Sequence, residues 1–345
     1  MTNAASELLP AQLATLDVIR VPVELRPAYA HSFATDLRIE IEAALAEHAE
    51  AAREIDSRGM WVSKRTLAGV FGCEARFLAD ERTPFEWSVP TARGTVLHKA
   101  VELCAYAPSR REGRPMAPDE AVDAARRNLA CEDGLGDFLA AASDSECAEL
   151  KSNCVALLTR FSETFPPMLR AWRPAVEVRA RQRLCGGAIV LSGKYDLTLG
   201  SPTPLAGHNM AGGGSAGGAV PTAAEIEPEG RVRAGKVIID LKTGARAGTD
   251  PEDLRFYALI ETLTVGVPPL GIGSFYVAEG RIEHEAVTVD VLHGAVRRTV
   301  DGIGRLIALR AGKHEPQRHP GPPCRWCPIS ADCEPGQRWL SELDR

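Results

Sequence analysis

Three residues in the second half of the chain could do chemistry together: Asp196, Asp240 and Lys242. In an extended strand, residues two apart point the same way, so Asp240 and Lys242 project together from Lys236–Lys242 (KVIIDLK). Ile238 shares their face, while Val237, Ile239 and Leu241 face the other side and can bury. A carboxylate and an ammonium emerging from an otherwise apolar strand are costly unless they pair or bind something. If the strand of Asp196 lies beside that of Asp240, two carboxylates converge near one ammonium. Carboxylate oxygens suit a hard, six-coordinate Mg²⁺. A neighbouring lysine can orient water or stabilise charge developing on a phosphate. A cross-strand salt bridge would use the same residues, so Asp-x-Lys alone does not decide.

Two further groups add to this. His98 and Glu102 lie one helical turn apart in a segment that begins at Gly94, offering a nitrogen and a carboxylate on one edge. The C-terminal tail carries Cys324, Cys327 and Cys333 behind the stiff approach Pro320-Gly-Pro-Pro323. Three closely spaced thiolates point to a metal with a fourth ligand from afar, since no Cys or His follows Cys333. Zinc prefers compact pairs, whereas an iron–sulfur cluster accepts a distant fourth cysteine. Six other cysteines remain (Cys73, Cys104, Cys131, Cys147, Cys154 and Cys185), most of them expected to be small buried hydrophobes.

The elements that must position these residues follow from periodicity. Phe33–Arg53, Val62–Asp80 and residues 94–106 recur at helical spacing, and 117–171 is mostly helical until Pro166-Pro167. Ala175–Leu184 and Ala188–Leu199 alternate as strands. In the second, Ile189, Leu191, Tyr195 and Leu197 are expected on one face, with Ser192, Lys194, Asp196 and Thr198 on the other. Gly200–Pro221 has no Asp, Glu, Lys or Arg and reads as a flexible insertion between adjacent strands. A helix (Asp250–Thr264), a strand (Ile272–Ala278), a weaker strand (Glu283–Val289) and a long helix (Leu292–Ala311) follow.

Composition narrows the function classes. The 345 residues are 45% apolar and 25% charged, ordinary globular usage for one large domain or two modest ones. No apolar run is long enough for a membrane helix, and the N-terminus lacks the basic start of a secretory signal. Nine cysteines, an odd number, suit a reducing cytoplasm. A net charge of -6 gives no global basic field, so a nucleic-acid partner would need a local patch or bound metal ions. Arg231, Arg233, Arg246 and Arg255 are candidates for that grip.

Taken in chain order, these motifs resemble the RecB-like branch of the PD-(D/E)XK nucleases. The likeness is to its iron–sulfur members: the nuclease domain of AddB-type helicase–nucleases and the CRISPR-associated adaptation exonucleases. Val62-Ser-Lys-Arg-Thr-Leu67 with Val70-Phe-Gly-Cys73 resembles the family's first helix, whose cysteine is a cluster ligand. Gly94-Thr-Val-Leu-His98 resembles the helix of the metal-site histidine. Ser192-Gly-Lys-Tyr-Asp196 and Ile238-Ile-Asp-Leu-Lys-Thr-Gly244 match the strands of the two acidic residues and the lysine. Asp253-Leu-Arg-Phe-Tyr257 falls where the family has Gln-x-x-x-Tyr, with Asp253 replacing the glutamine.

The resemblance implies a restriction-endonuclease-like α/β fold, with a mixed sheet flanked by helices and a helical N-terminal elaboration. It covers a nuclease domain at 61–335; residues 1–60, read from their pattern as an N-terminal helical segment, and the helical insertion at about 107–170 lie outside its motifs. It implies a Mg²⁺- or Mn²⁺-dependent deoxyribonuclease, an exonuclease by family habit. His98, Asp196, Asp240 and the Leu241 carbonyl would hold the ion, and Lys242 and Tyr257 would act beside it. Cys73, Cys324, Cys327 and Cys333 would hold a [4Fe–4S] cluster. DNA is the implied partner, in repair, recombination or anti-phage defence. No helicase motif is present, so unwinding would fall to a helicase or another repair or defence subunit. The competing expectation is an inactive nuclease fold serving as a DNA-binding or assembly scaffold.

Overall fold

The computed structural model describes residues 8–106, 116–132, 134–204, 230–244, 246, 248 and 250–343. The helices are α1 (Pro10–Ile19), α2 (Phe33–Leu45), α3 (Ala49–Ile55), α4 (Lys64–Phe71), α5 (Glu74–Arg82) and α6 (Val89–Tyr106). They continue with α7 (Pro118–Leu129), α8 (Leu135–Ala141), α9 (Asp144–Thr164), α10 (Asp250–Val265), α11 (Val289–Arg310) and α12 (Glu334–Leu343). The strands are β1 (Ala28–Ala30), β2 (Met60–Val62), β3 (Ala175–Leu184), β4 (Ile189–Leu199), β5 (Thr203–Pro204), β6 (Arg231–Arg233), β7 (Val237–Lys242), β8 (Gly271–Tyr276) and β9 (Arg281–Ala286).

Local chemistry explains the boundaries that matter. The Ser63 hydroxyl accepts the Thr66 N–H at 3.2 Å and caps α4. The expected single helix Val62–Asp80 is two, because the chain breaks at Gly72 and Cys73 becomes the N-cap of α5. Ser143 and Glu146 form a reciprocal capping box that starts α9. Of the expected insertion 200–221, residues 200–204 are ordered. The Gly200 N–H donates to the Trp172 carbonyl, and β5 pairs with β6. The remainder of that segment lies outside the described residues, as do residues 1–7 of the N-terminal segment and 107–115 of the helical insertion.

The main sheet runs β2-β4-β7-β8-β9, with β3 paired along β4. β2 is parallel to β4 and β7 parallel to β8, while the other pairings are antiparallel. The sheet is therefore mixed, and helices cover both sides. One core joins α6, α7 and α9 to Leu197, Leu199, Ile239, Leu241 and Phe275. The other joins α2, α4, α10 and α11 to Ile189, Leu191, Tyr195, Ile238 and Ile272. Residues of α2 (Leu37, Ile41, Leu45) thus share a core with Ile303 and Leu306 of α11.

Two features of β4 set up the site. β3 occupies one edge of β4 from Ile189 to Thr198, so β2 and β7 must share the other edge, at residues 189–191 and 197–199. Residues 192–196 have no strand partner on that edge, and the sheet forks there. The second feature corrects the expected alternation. Tyr195 and Leu197 are two apart, yet they enter opposite cores, as do Val178 and Val176 on β3. Both strands change sides at Glu177 and Asp196, where Glu177 has φ +54°. A left-handed glutamate inside a strand is sterically costly and breaks the two-residue repeat.

Candidate active site

The side change delivers two carboxylates to the face covered by α6. His98 Nδ1 lies 3.3 Å from Asp196 Oδ1 and 3.8 Å from Glu177 Oε1. Its Nε2 donates to the Leu241 carbonyl at 3.0 Å, and the Leu241 N–H donates to Asp196 Oδ2 at 2.8 Å. His98, Glu177 and Asp196 each offer a ligand atom within 4.8 Å of the others, the one such group among the described residues. Lys194 pairs with Glu177 from outside. One imidazole and two carboxylates make a largely hard donor set that fits Mg²⁺ or Mn²⁺, with the Leu241 carbonyl on the far nitrogen of the ring.

Electrostatics tie the group together. Burial works to lower the His98 pKa, but Asp196 and then Glu177 outweigh it and hold it up to about 10. Burial opposes the charge on Glu177, yet His98 and Lys194 hold its carboxyl down at about 2. His98 is therefore imidazolium at neutral pH in the metal-free protein, and a metal ion must displace that proton to use the ring.

Asp240 and Lys242 lie beside this group on the other face of β7. Lys242 Nζ is 3.0 Å from Asp240 Oδ2 and 2.8 Å from Asp250 Oδ1, and the Tyr276 hydroxyl donates to Asp250 Oδ2 at 2.9 Å. Asp240 also holds Lys64, whose Nζ is 2.8 Å from Oδ1 and 4.9 Å from the Tyr257 ring centre. Burial tends to protonate Asp240, but Lys64 and Lys242 together depress its pKa. The charge of Asp196 also reaches Lys64. The structure thus puts Asp240 in a lysine-bridged pair, outside the three-ligand group.

Tyr257, on α10, is buried beneath the fork, where a Cβ on Gly193 would come within 2.8 Å of its ring. Only glycine fits, which accounts for Ser192-Gly193-Lys194. Asp253, one turn before Tyr257, lines a small cavity with Lys64, Glu252 and Arg298. Burial, with Asp240 and Asp250 adding to it, raises its carboxyl to about 6.

Sequence reasoning missed Glu177, Lys64 and Asp250. The pattern AVEVRARQRL hides the kink at Glu177, and Lys64 reads as an ordinary first-turn residue. Three of the expected phosphate grips already have partners within the protein. Arg246 is held by Glu279 and Glu283 at 2.6 and 2.5 Å, and Arg255 by Glu285 and Glu252 at 2.8 and 2.7 Å. Arg233 donates to the carbonyls of Val23, Glu24 and Arg26. Arg246 and Arg255 are thus paired with carboxylates, and Arg233 with backbone carbonyls.

The cysteine tail returns to α5. Glu74 is 3% exposed in its side chain and accepts from the Gln317 N–H at 2.8 Å and from His314 at 2.7 Å. The Ala75 N–H donates to the Gln317 carbonyl at 3.2 Å, and His319 reaches the Gly72 carbonyl at 3.0 Å. A Cβ on Gly336 would touch the sulfurs of both Cys333 and Cys324, at 3.4 and 3.5 Å. Burial raises the Cys327 thiol, and both Cys73 and Cys324 push it the same way. The four cysteines face one locality, whereas Cys104 and Cys154 sit with the α6–α9 core.

No known family's sequence profile matches this chain, and no curated protein matches it. Among solved structures, one from Eubacterium rectale, provisionally named an exonuclease, matches with a TM-score of 0.42 and 13% identity. That match covers 83% of this chain and 90% of the other. A likeness of that size carries no argument about activity, which has to rest on the site. No helix among the described residues is long and apolar enough to cross a membrane.

Proposed function

We propose that this protein is a Mg²⁺- or Mn²⁺-dependent deoxyribonuclease of RecB-like type. The observation that carries the reading is the cluster of His98, Glu177, Asp196 and the Leu241 carbonyl beside the lysine pair on Asp240. His98, Asp196 and the Leu241 carbonyl would hold the ion, with Asp240 at the neighbouring position. A bound divalent ion supplies a Lewis acid for the phosphate and lowers the pKa of nearby water. Lys242, fixed by Asp240 and Asp250, would hold the attacking water and offset charge growing on the phosphate oxygens. Lys64 adds a second ammonium on the same carboxylate. Tyr257 packs under Lys64. DNA repair or defence, with a helicase-type partner, is the setting that fits such chemistry.

The four converging cysteines support a structural [4Fe–4S] cluster on Cys73, Cys324, Cys327 and Cys333.

The test uses anaerobically purified full-length protein and labelled single- and double-stranded DNA with Mg²⁺ or Mn²⁺. Asp240→Asn and Lys242→Ala should each lose at least ~10²-fold in cleavage with folding intact. Wild-type cleavage in both would overturn the assignment, and no cleavage by the native protein would favour the scaffold expectation. About four irons per chain, lost in Cys73→Ala and kept in Cys104→Ala, would support the cluster; one zinc would refute it.

A further inference from the structure

The forked half of the sheet has one largely uncovered face. β2, β3 and the first half of β4 are backed by the core of α2, α4 and α10 through Met60, Val62, Ala180, Leu184, Ile189 and Leu191. Residues that alternate with these point the other way. There α6, α7 and α9 pack against Val176, Leu197 and Leu199, beyond the side change, and of the earlier positions only Val190 is buried. Trp61, Arg179, Arg181 and Lys194 are consequently exposed, as is Arg65 at the start of α4. These residues, with Ser192, Gly193 and Tyr257, line an open groove of about 350 Å³. Its inner end is Lys194, paired with Glu177 of the candidate metal group.

Two properties of this groove point to its occupant. Arg65, Arg179 and Arg181 have no carboxylate partner among the described residues, unlike Arg246 and Arg255. In a chain of net charge -6, three uncompensated guanidiniums beside a phosphodiester-cleaving site are a local anion path. The second property is Trp61, a large indole left 42% exposed. The Arg181 guanidinium lies 4.8 Å from its ring centre, a cation–π contact that holds the ring in place and leaves other indole surface open. Bases offer free π-faces only where they are unpaired and unstacked; in a duplex both faces are covered by neighbours.

We propose that this largely uncovered face is the approach for single-stranded DNA, with backbone phosphates along Arg65, Arg179 and Arg181 and one base stacked on Trp61. The proposal rests on the nuclease reading for its direction, because the path ends at that site. It predicts binding without metal, so the two can be separated.

The experiment measures anisotropy of fluorescein-labelled oligo(dT), and of its duplex with oligo(dA), against the full-length protein in EDTA. Oligo(dT) should bind at least tenfold more tightly than the duplex. Trp61→Ala should weaken oligo(dT) binding by about tenfold or more, while Trp61→Phe keeps most of it. Arg179→Ala and Arg181→Ala should each reduce the slope of log affinity against log salt by about 0.7. Equal binding of strand and duplex, or unchanged affinity in Trp61→Ala, overturns the proposal. Should Trp61→Ala not fold, the doubly charge-reversed Arg179→Glu/Arg181→Glu variant decides, and unchanged oligo(dT) affinity again overturns it. Trp61-dependent binding by a protein that never cleaves would sink the nuclease reading and leave the strand path standing. Wild-type cleavage and oligo(dT) affinity in Trp61→Ala would do the reverse.

Discussion

The two halves of β4 have similar sequence texture and opposite fates. From Ile189 to Tyr195 the strand alternates regularly, pairs with β2 at residues 189–191 and has one face packed in the α2–α4–α10 core. From Leu197 onward it pairs with β7 between two cores. The candidate site sits where one regime gives way to the other. A fully covered sheet would have to bury Asp196 and Glu177 without solvent, and a regular strand would aim them away from His98. The change of side meets both needs. A strained backbone at the junction positions charged groups that neither half could hold alone.

Changes at that junction should have the largest effects. Glu177→Gln keeps the shape, removes one charge from the ligand group and frees Lys194. Cleavage should drop roughly 10- to 100-fold, the usual loss when support of a metal centre is removed. Unchanged kinetics would mean that Glu177 only neutralises Lys194. In the regular half, Gly193→Ala places a methyl within 2.8 Å of the Tyr257 ring. Overpacking of this kind costs about 1–3 kcal/mol, measurable by urea unfolding. An unaltered midpoint would show that Tyr257 moves freely. Relief of strain is a smaller effect. Glu177→Gly should be about 1 kcal/mol more stable than Glu177→Gln, because glycine accepts a positive φ. A less stable glycine variant would argue that the kink is unstrained.

The pH response is the most modest effect. The folded pKa of His98 is raised from 6.5 to about 10, so its stabilising charge is fully present below pH 6.5 and is lost as pH climbs toward 10. Glu177 is depressed from 4.5 to about 2, so its contribution is present above pH 4.5 and is lost as pH falls toward 2. The metal-free protein should therefore lose stability on both sides of this interval, and His98→Gln should flatten the alkaline arm. An alkaline arm identical in His98→Gln, followed by thermal melts in EDTA, would place its origin elsewhere.

Much of this arrangement was legible before the structure. KVIIDLK could only be a strand with Asp240 and Lys242 on one side, because its β-branched residues demand burial. Its placement beside β4 followed from motif order. Glu177 was hidden because alternation carries no mark of a left-handed residue, and AVEVRARQRL looks regular throughout. Asp240 was expected on the ion with Asp196; the fork gives it two lysines as well, one contributed by a helix that no local pattern links to β7. The partners of the expected grips were hidden for a related reason. Sequence shows where an arginine is, whereas the fold determines which acids compensate it.

The clasp between Glu74 and the tail has a consequence for how the molecule is made. The residues it joins are 243 apart in sequence. A ribosome adding about 5–20 residues per second needs roughly 12–50 s to cover that interval. Throughout that time α5 has a carboxylate and Cys73 awaiting partners that do not yet exist. The clasp can close only on a nascent chain extended past Gln317, so prematurely terminated products would never acquire it.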